Sequence, residues 1–140
     1  MVVSRLFACL CVLVLAVVAA ASAQQSPLPA AQGSIARGRY LVERVAMCGE
    51  CHSSRDPQGN IVEGTRFRGG AMPVRAPWTA DWPLQIPRIA GLPGYSDQDA
   101  IRLLTEGAIK RDGTQLRNPM PRFRMTPEDA ADVVAYLRSL

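Results

Sequence analysis

The stretch Cys48-Gly49-Glu50-Cys51-His52 decides how the whole chain is read. Two cysteines three positions apart, with a histidine directly after the second, have the spacing of a c-type haem attachment site. Each thiol adds across one vinyl group of the haem. The two vinyls sit on neighbouring pyrroles, so the sulfurs must reach two points on one edge of the ring. His52, held beneath the metal by that double tether, can then give an imidazole nitrogen to the iron. It is the only histidine in the chain. A thiol redox pair or a structural disulfide would use the same two cysteines, but thioredoxin-like motifs sit in a βαβ context, and a zinc ribbon needs two more ligands. The remaining cysteines, Cys9 and Cys11, lie in a segment expected to be removed. The expected cofactor is one haem c, attached through thioethers at Cys48 and Cys51.

Towards the N-terminus, residues 1–23 have the parts of a cleaved signal peptide. Arg5 supplies the positive start, Leu6 to Ala21 is an almost unbroken apolar run, and Ala21-Ser22-Ala23 is a small-residue cleavage pattern. The run approaches the length of a membrane span. The polar Gln24-Gln25-Ser26 that follows favours cleavage, with no stable membrane anchor afterwards. Export agrees with the haem motif, because thioether attachment in bacteria takes place beyond the cytoplasmic membrane. The expected location is the periplasm. Loss of Arg5 leaves one fewer than the 16 basic residues against 12 acidic ones, and two haem propionates would bring the charge close to neutral. Nothing in this balance points to nucleic acid.

Residues 24–34, with Pro27 and Pro29 among small and polar residues, read as a flexible leader, and residues 35–140 as the single domain. Ser34 is placed to cap a helix from Ile35 to about Met47, in which Leu41, Val42 and Val45 recur at helical spacing. Gly38 inside that helix costs about 1 kcal/mol against Ala, which close approach of another helix would explain. Ser96-Asp97-Gln98-Asp99 opens a second helix with inner residues Ala100, Ile101 and Leu104 and a stop at Gly107. Thr126 and Pro127 open a last one, with Ala130, Val133, Val134 and Leu137 on one face. No strand pattern appears. The expected fold is all-α and small, with about three main helices.

Between Ser53 and Tyr95 periodicity is weak and prolines and glycines are frequent. So long a loop in a small domain is unusual, unless it wraps a large apolar cofactor. Phe67, Trp78, Trp82, Leu84 and Ile86 are its candidates for burial against the ring, or for plain core filling.

These features together resemble the class I cytochrome c family, over nearly all of 35–140. In that family the first helix ends in Cys-x-x-Cys-His and the last helix crosses it through a glycine packed on an aromatic residue. Gly38 and Tyr136 would be that pair. Gly-x-Tyr-Leu before the motif, Pro119-Met120-Pro121, and the ending Tyr136-Leu137-Arg138-Ser139-Leu140 are similar to cytochrome c domains that serve bacterial periplasmic dehydrogenases. The proline-rich middle is less similar.

A single histidine excludes bis-histidine ligation within one chain, and a soft, neutral methionine thioether is the usual alternative for the sixth position. Met47 adjoins the attachment site and cannot easily reach the opposite face, and Met125 precedes the Thr126 cap, where it can staple onto Ala130. Met120 stands between two prolines that stiffen its loop, in the region where the family's ligand lies. Met120 is the expected axial ligand, with Met72 the alternative and Lys110 a remote one. Arg117, Arg122 and Arg124, with Lys110 and Arg111, make this loop basic, as either a docking surface for an acidic partner or a solvated loop pairing a haem propionate.

The expected function is that of a periplasmic monohaem cytochrome c carrying single electrons by outer-sphere transfer, and not of an enzyme. Its redox partners would be a dehydrogenase donor and an oxidase or another cytochrome as acceptor. The alternatives are a tightly bound electron-accepting subunit of a dehydrogenase and an open-site haem sensor or enzyme.

Overall fold

In the computed structural model, residues 33–107 and 116–140 are described. The stretch expected to be a signal peptide, the expected leader as far as residue 32, and Lys110 and Arg111 lie outside the described residues.

Helix α1 (Ile35–Tyr40) begins where its cap was expected: Ser34 is extended and its hydroxyl accepts from Arg37 N. It continues into a wider-wound π segment (Leu41–Val45), closed by Ala46 N donating to Leu41 O. The extra residue in that turn rotates the side chains after it. Leu41 and Val42 stay buried, whereas Val45, expected on the inner face, turns out to solvent. Met47 reverses the chain in the left-handed region, and the one-turn helix α2 (Cys48–Cys51) follows.

Helix α3 (Asp97–Glu106) is capped by Ser96, whose hydroxyl accepts from Asp99 N, and stops at Gly107, which has φ 90°. Helix α4 (Pro127–Arg138) is capped by Thr126 with Pro127 at its first position. Each such cap is worth about 1 kcal/mol. The inner residues foreseen for α3 and α4 are buried, Ile101 only partly, and Ala131 and Tyr136 are buried beside them. They close one core with Leu41, Val42 and Phe67, each fully buried apolar side chain contributing about 1.5–3 kcal/mol.

Helix α4 packs on α1 more extensively than on α3. The seam is backbone-close: a side chain on Gly38 would overlap the carbonyl of Asp132 and come within 2.9 Å of Tyr136 Cβ. The expected Gly38–Tyr136 pairing is thus present. Ser34 N donates to the Asp132 carboxylate and Arg37 bonds Asp129, which fastens the start of α1 to the first turns of α4.

The middle of the chain is mostly turns, with one departure from the all-helical expectation. Strands β1 (Gly70–Ala71) and β2 (Gln85–Ile86) pair antiparallel, Gly70 opposite Ile86. Two residues each are too few to show alternation in sequence. The ladder extends through Met72 N to Leu84 O and closes a loop over 72–84. Phe67 takes the core-filling role, its ring edge-on to Tyr136 with centroids 6.3 Å apart. Ile86 is buried and Trp82 half-buried, with its indole N–H donating to Val74 O. Trp78 and Leu84 are exposed.

Candidate haem site

The Cys-x-x-Cys-His stretch is folded as a single helical turn, with His52 as its C-cap. After the reversal at Met47, Cys48 is half-buried, Cys51 exposed, and both are free thiols. Gly49 between them is buried, and a side chain there would come within 3.1 Å of the Phe67 ring. Burial pushes the Cys48 thiol up to about 11, as expected for sulfur away from water with no cation beside it.

His52 is only 7% exposed, and its orientation is fixed by one bond. Nδ1 lies 2.8 Å from the carbonyl oxygen of Pro87. A carbonyl only accepts, so Nδ1 carries the proton and Nε2 has a free lone pair. Burial lowers the pKa of the ring, and the Pro87 carbonyl opposes this in part. The ring is therefore neutral near pH 7, the form that ligates a metal. Two free thiols on one turn and a neutral imidazole with Nε2 available are the donor set that a covalently attached haem needs.

Residues beyond the motif complete this arrangement. The Ser53 hydroxyl donates to Gly49 O at 2.6 Å and accepts from Phe67 N at 3.2 Å. Gly69 N donates to His52 O, and Phe67 O accepts from both Ile89 N and Ala90 N. Ser53, Gly69 and Pro87 were not singled out in the sequence reading. Pro87 and Gly69 act through backbone atoms, which leave no mark on residue type, and only Ser53, beside His52, was within reach of inspection.

Met120 lies in the loop before α4, half-buried, with its N–H donating to Arg117 O. Arg117 pairs with Asp81 at 3.1 Å, which ties this loop to the 72–84 loop that begins at Met72. Arg122 and Arg124 are exposed and form no ion pair among the described residues. Met125 packs against the core, as its staple position suggested, and Met47 is exposed. Among the described residues no group of three or more His, Cys, Asp or Glu is placed to hold a metal ion on its own. No helix among them is long and apolar enough to cross a membrane.

An attachment turn at the end of a helix that packs on a later helix through a glycine seam is an arrangement that fits a haem-carrying domain. Residues 35–140 match the family described as cytochrome c, and the chain belongs to that family. Its cofactor is accordingly a covalently bound haem c, which the donors at 48, 51 and 52 fit. The chain is also similar to a fructose dehydrogenase cytochrome subunit of Gluconobacter japonicus, with 31% identity over 110 residues, 74% of this chain. The match spans 21% of that relative's length.

Proposed function

We propose that this protein is an exported, periplasmic monohaem cytochrome that passes single electrons between redox partners without catalysing a reaction of its own. The observation that carries the reading is the His52–Pro87 bond, which leaves a buried, neutral imidazole with one nitrogen for iron. Cys48 and Cys51 would hold the haem through thioethers, and His52 and Met120 would ligate its iron. The bound haem supplies an iron that changes oxidation state by one electron. The chain's own part is to fix the imidazole, keep water from it and offer a thioether that raises the reduction potential. Met125 packed in the core and Met47 exposed beside the attachment site leave Met120 and Met72 as the methionines to compare.

A second reading is favoured by the similarity to a dehydrogenase cytochrome subunit. In it the same domain is a bound electron acceptor of a periplasmic dehydrogenase rather than a free carrier. Co-purification of a larger enzyme with the tagged chain would establish the subunit, and isolation of the chain alone from a dehydrogenase-competent extract would establish the carrier.

Ligation is tested by far-red absorption of the ferric protein, where an iron–thioether charge-transfer band lies. The band should be present in the wild type and absent in Met120→Ala. A band that survives moves the role to Met72. No band in the wild type overturns thioether ligation and brings the open-site reading forward.

A further inference from the structure

The segment from Phe67 to Gly70 is hydrogen-bonded on two sides at once. On one side Phe67 N bonds the Ser53 hydroxyl and Gly69 N bonds His52 O at 3.0 Å. On the other, Phe67 O accepts from Ile89 and Ala90, and Gly70 pairs with Ile86. Pro87, whose carbonyl accepts the hydrogen bond from His52 Nδ1, lies between these last two attachments. The short segment therefore joins the backbone of His52 to the backbone that holds its ring.

At the centre stands Gly69, with φ +77° and no room for a side chain. A Cβ there would overlap the carbonyl oxygen of Ile86 and lie 2.8 Å from both Pro87 C and Arg88 N. All three atoms are backbone, so none can swing aside alone. Any relief must displace the peptide units on both sides of Pro87. Gly64 is a natural comparison: it has nearly the same φ, +75°, and nothing within 4 Å of its would-be Cβ.

We propose that Gly69 is a positioning residue for the axial imidazole, holding the Pro87 carbonyl against His52 Nδ1 through the splint formed by residues 67–70. This deepens the reading of His52 as iron ligand and rests on it. A hydrogen bond from Nδ1 gives the imidazole more electron density to donate, which favours ferric iron. Loosening that bond should raise the reduction potential. Merely opening the site to water would lower it, since water stabilises the more highly charged ferric state. The sign separates positioning from general damage.

The experiment uses the haem-loaded full protein, in the wild type, Gly69→Ala and Gly64→Ala. The reduction potential is measured together with exchange of the His52 Nδ1 proton by NMR, in protein labelled with 15N-histidine. With one histidine in the chain, the signal needs no assignment. Gly69→Ala should raise the potential and speed Nδ1 proton exchange about fivefold to tenfold, the equivalent of one lost hydrogen bond. Gly64→Ala should change neither.

A Gly69→Ala protein that matches Gly64→Ala, or whose potential falls, overturns the proposal. If Gly69→Ala yields no folded holoprotein, Ser53→Ala decides by the same two readouts, because it frees the Phe67 end of the splint without adding bulk. If the wild-type ring nitrogens do not shift between oxidised and reduced protein, His52 is not the ligand, and that failure is distinct from a normal wild type with an indifferent Gly69.

Discussion

Tyr136 on α4 donates its phenol hydrogen to the carboxylate of Glu43 in the π segment, so the two helical elements share a proton-bearing contact beside the glycine seam. The bond from Tyr136 is the main reason the Glu43 carboxyl titrates below its ordinary range, with Arg39 and Arg66 adding to it and burial opposing. Burial, then the Glu43 carboxylate, pushes Tyr136 up to about 12.

The sign of each pH dependence follows from linkage. A tyrosine whose folded pKa is raised holds its proton longer in the folded state. Its contribution is whole below its ordinary value of 10.0 and is lost as pH rises towards about 12. Glu43, depressed in the fold, contributes above its ordinary 4.5 and loses that contribution as pH falls through its folded value. Denaturant midpoints should therefore drop between about pH 10 and 12 in the wild type, with a shallower drop in Tyr136→Phe. Equal slopes would show that the pair does not couple to folding.

Gly38→Ala should destabilise, against the rule for helix interiors. Helix propensity alone would give a gain of about 1 kcal/mol. The added Cβ instead meets the Asp132 backbone and Tyr136 Cβ, and overpacking of this kind costs about 1–3 kcal/mol or more. A thermal melt decides between them by its direction, and a higher Tm for the variant would refute close helix contact at this position.

Arg138 closes the end of α4 onto the loop before α3. Its guanidinium bonds the Asp97 carboxylate at 2.8 Å and the carbonyls of Gly91, Leu92 and Tyr95. A lysine keeps the charge but loses the planar fork that reaches several acceptors. Since part of the side chain is in water, Arg138→Lys should cost about 1–3 kcal/mol rather than the sum of its bonds. Urea denaturation of the two proteins measures this, and a midpoint unchanged from the wild type would mean that charge alone suffices.

The exposed Arg122 and Arg124 flank the Met120 loop without ion pairs among the described residues. If the loop steers an acidic partner, exchanging both for glutamate should slow reduction by that partner. Added salt should narrow the gap by screening. Stopped-flow rates at low and high ionic strength check this, and a rate insensitive to the exchange would leave the arginines as plain solvated surface.

Much of this fold could be read from side chains because side chains did the specifying. Ser34, Ser96 and Thr126 cap with their own hydroxyls, and Pro127 and Gly107 mark ends by their backbone chemistry. Gly38 stood out as a costly residue needing a reason. Val45 was misplaced because the inner face was projected on a regular α-helix, and a π turn is not written in residue type. The support of His52 was missed for a different cause. Its contacts run through the carbonyl of Pro87 and the amide of Gly69, atoms that almost every residue possesses.

The pairing of α1 with α4 also governs the order of events as the chain folds. Ser34 and Asp132 are 98 residues apart in sequence, so the largest interhelical contact must close nearly the whole domain, one of the slower kinds of contact to form. Until α4 arrives, Val42 and Tyr136 lack each other's helices, and the core that Cys48 packs against is incomplete. Closure of the core beside the Cys48 thiol therefore waits on the last helix of the domain. The two thiols thus differ: Cys51 stays exposed in the finished fold, whereas Cys48 is half-buried by it.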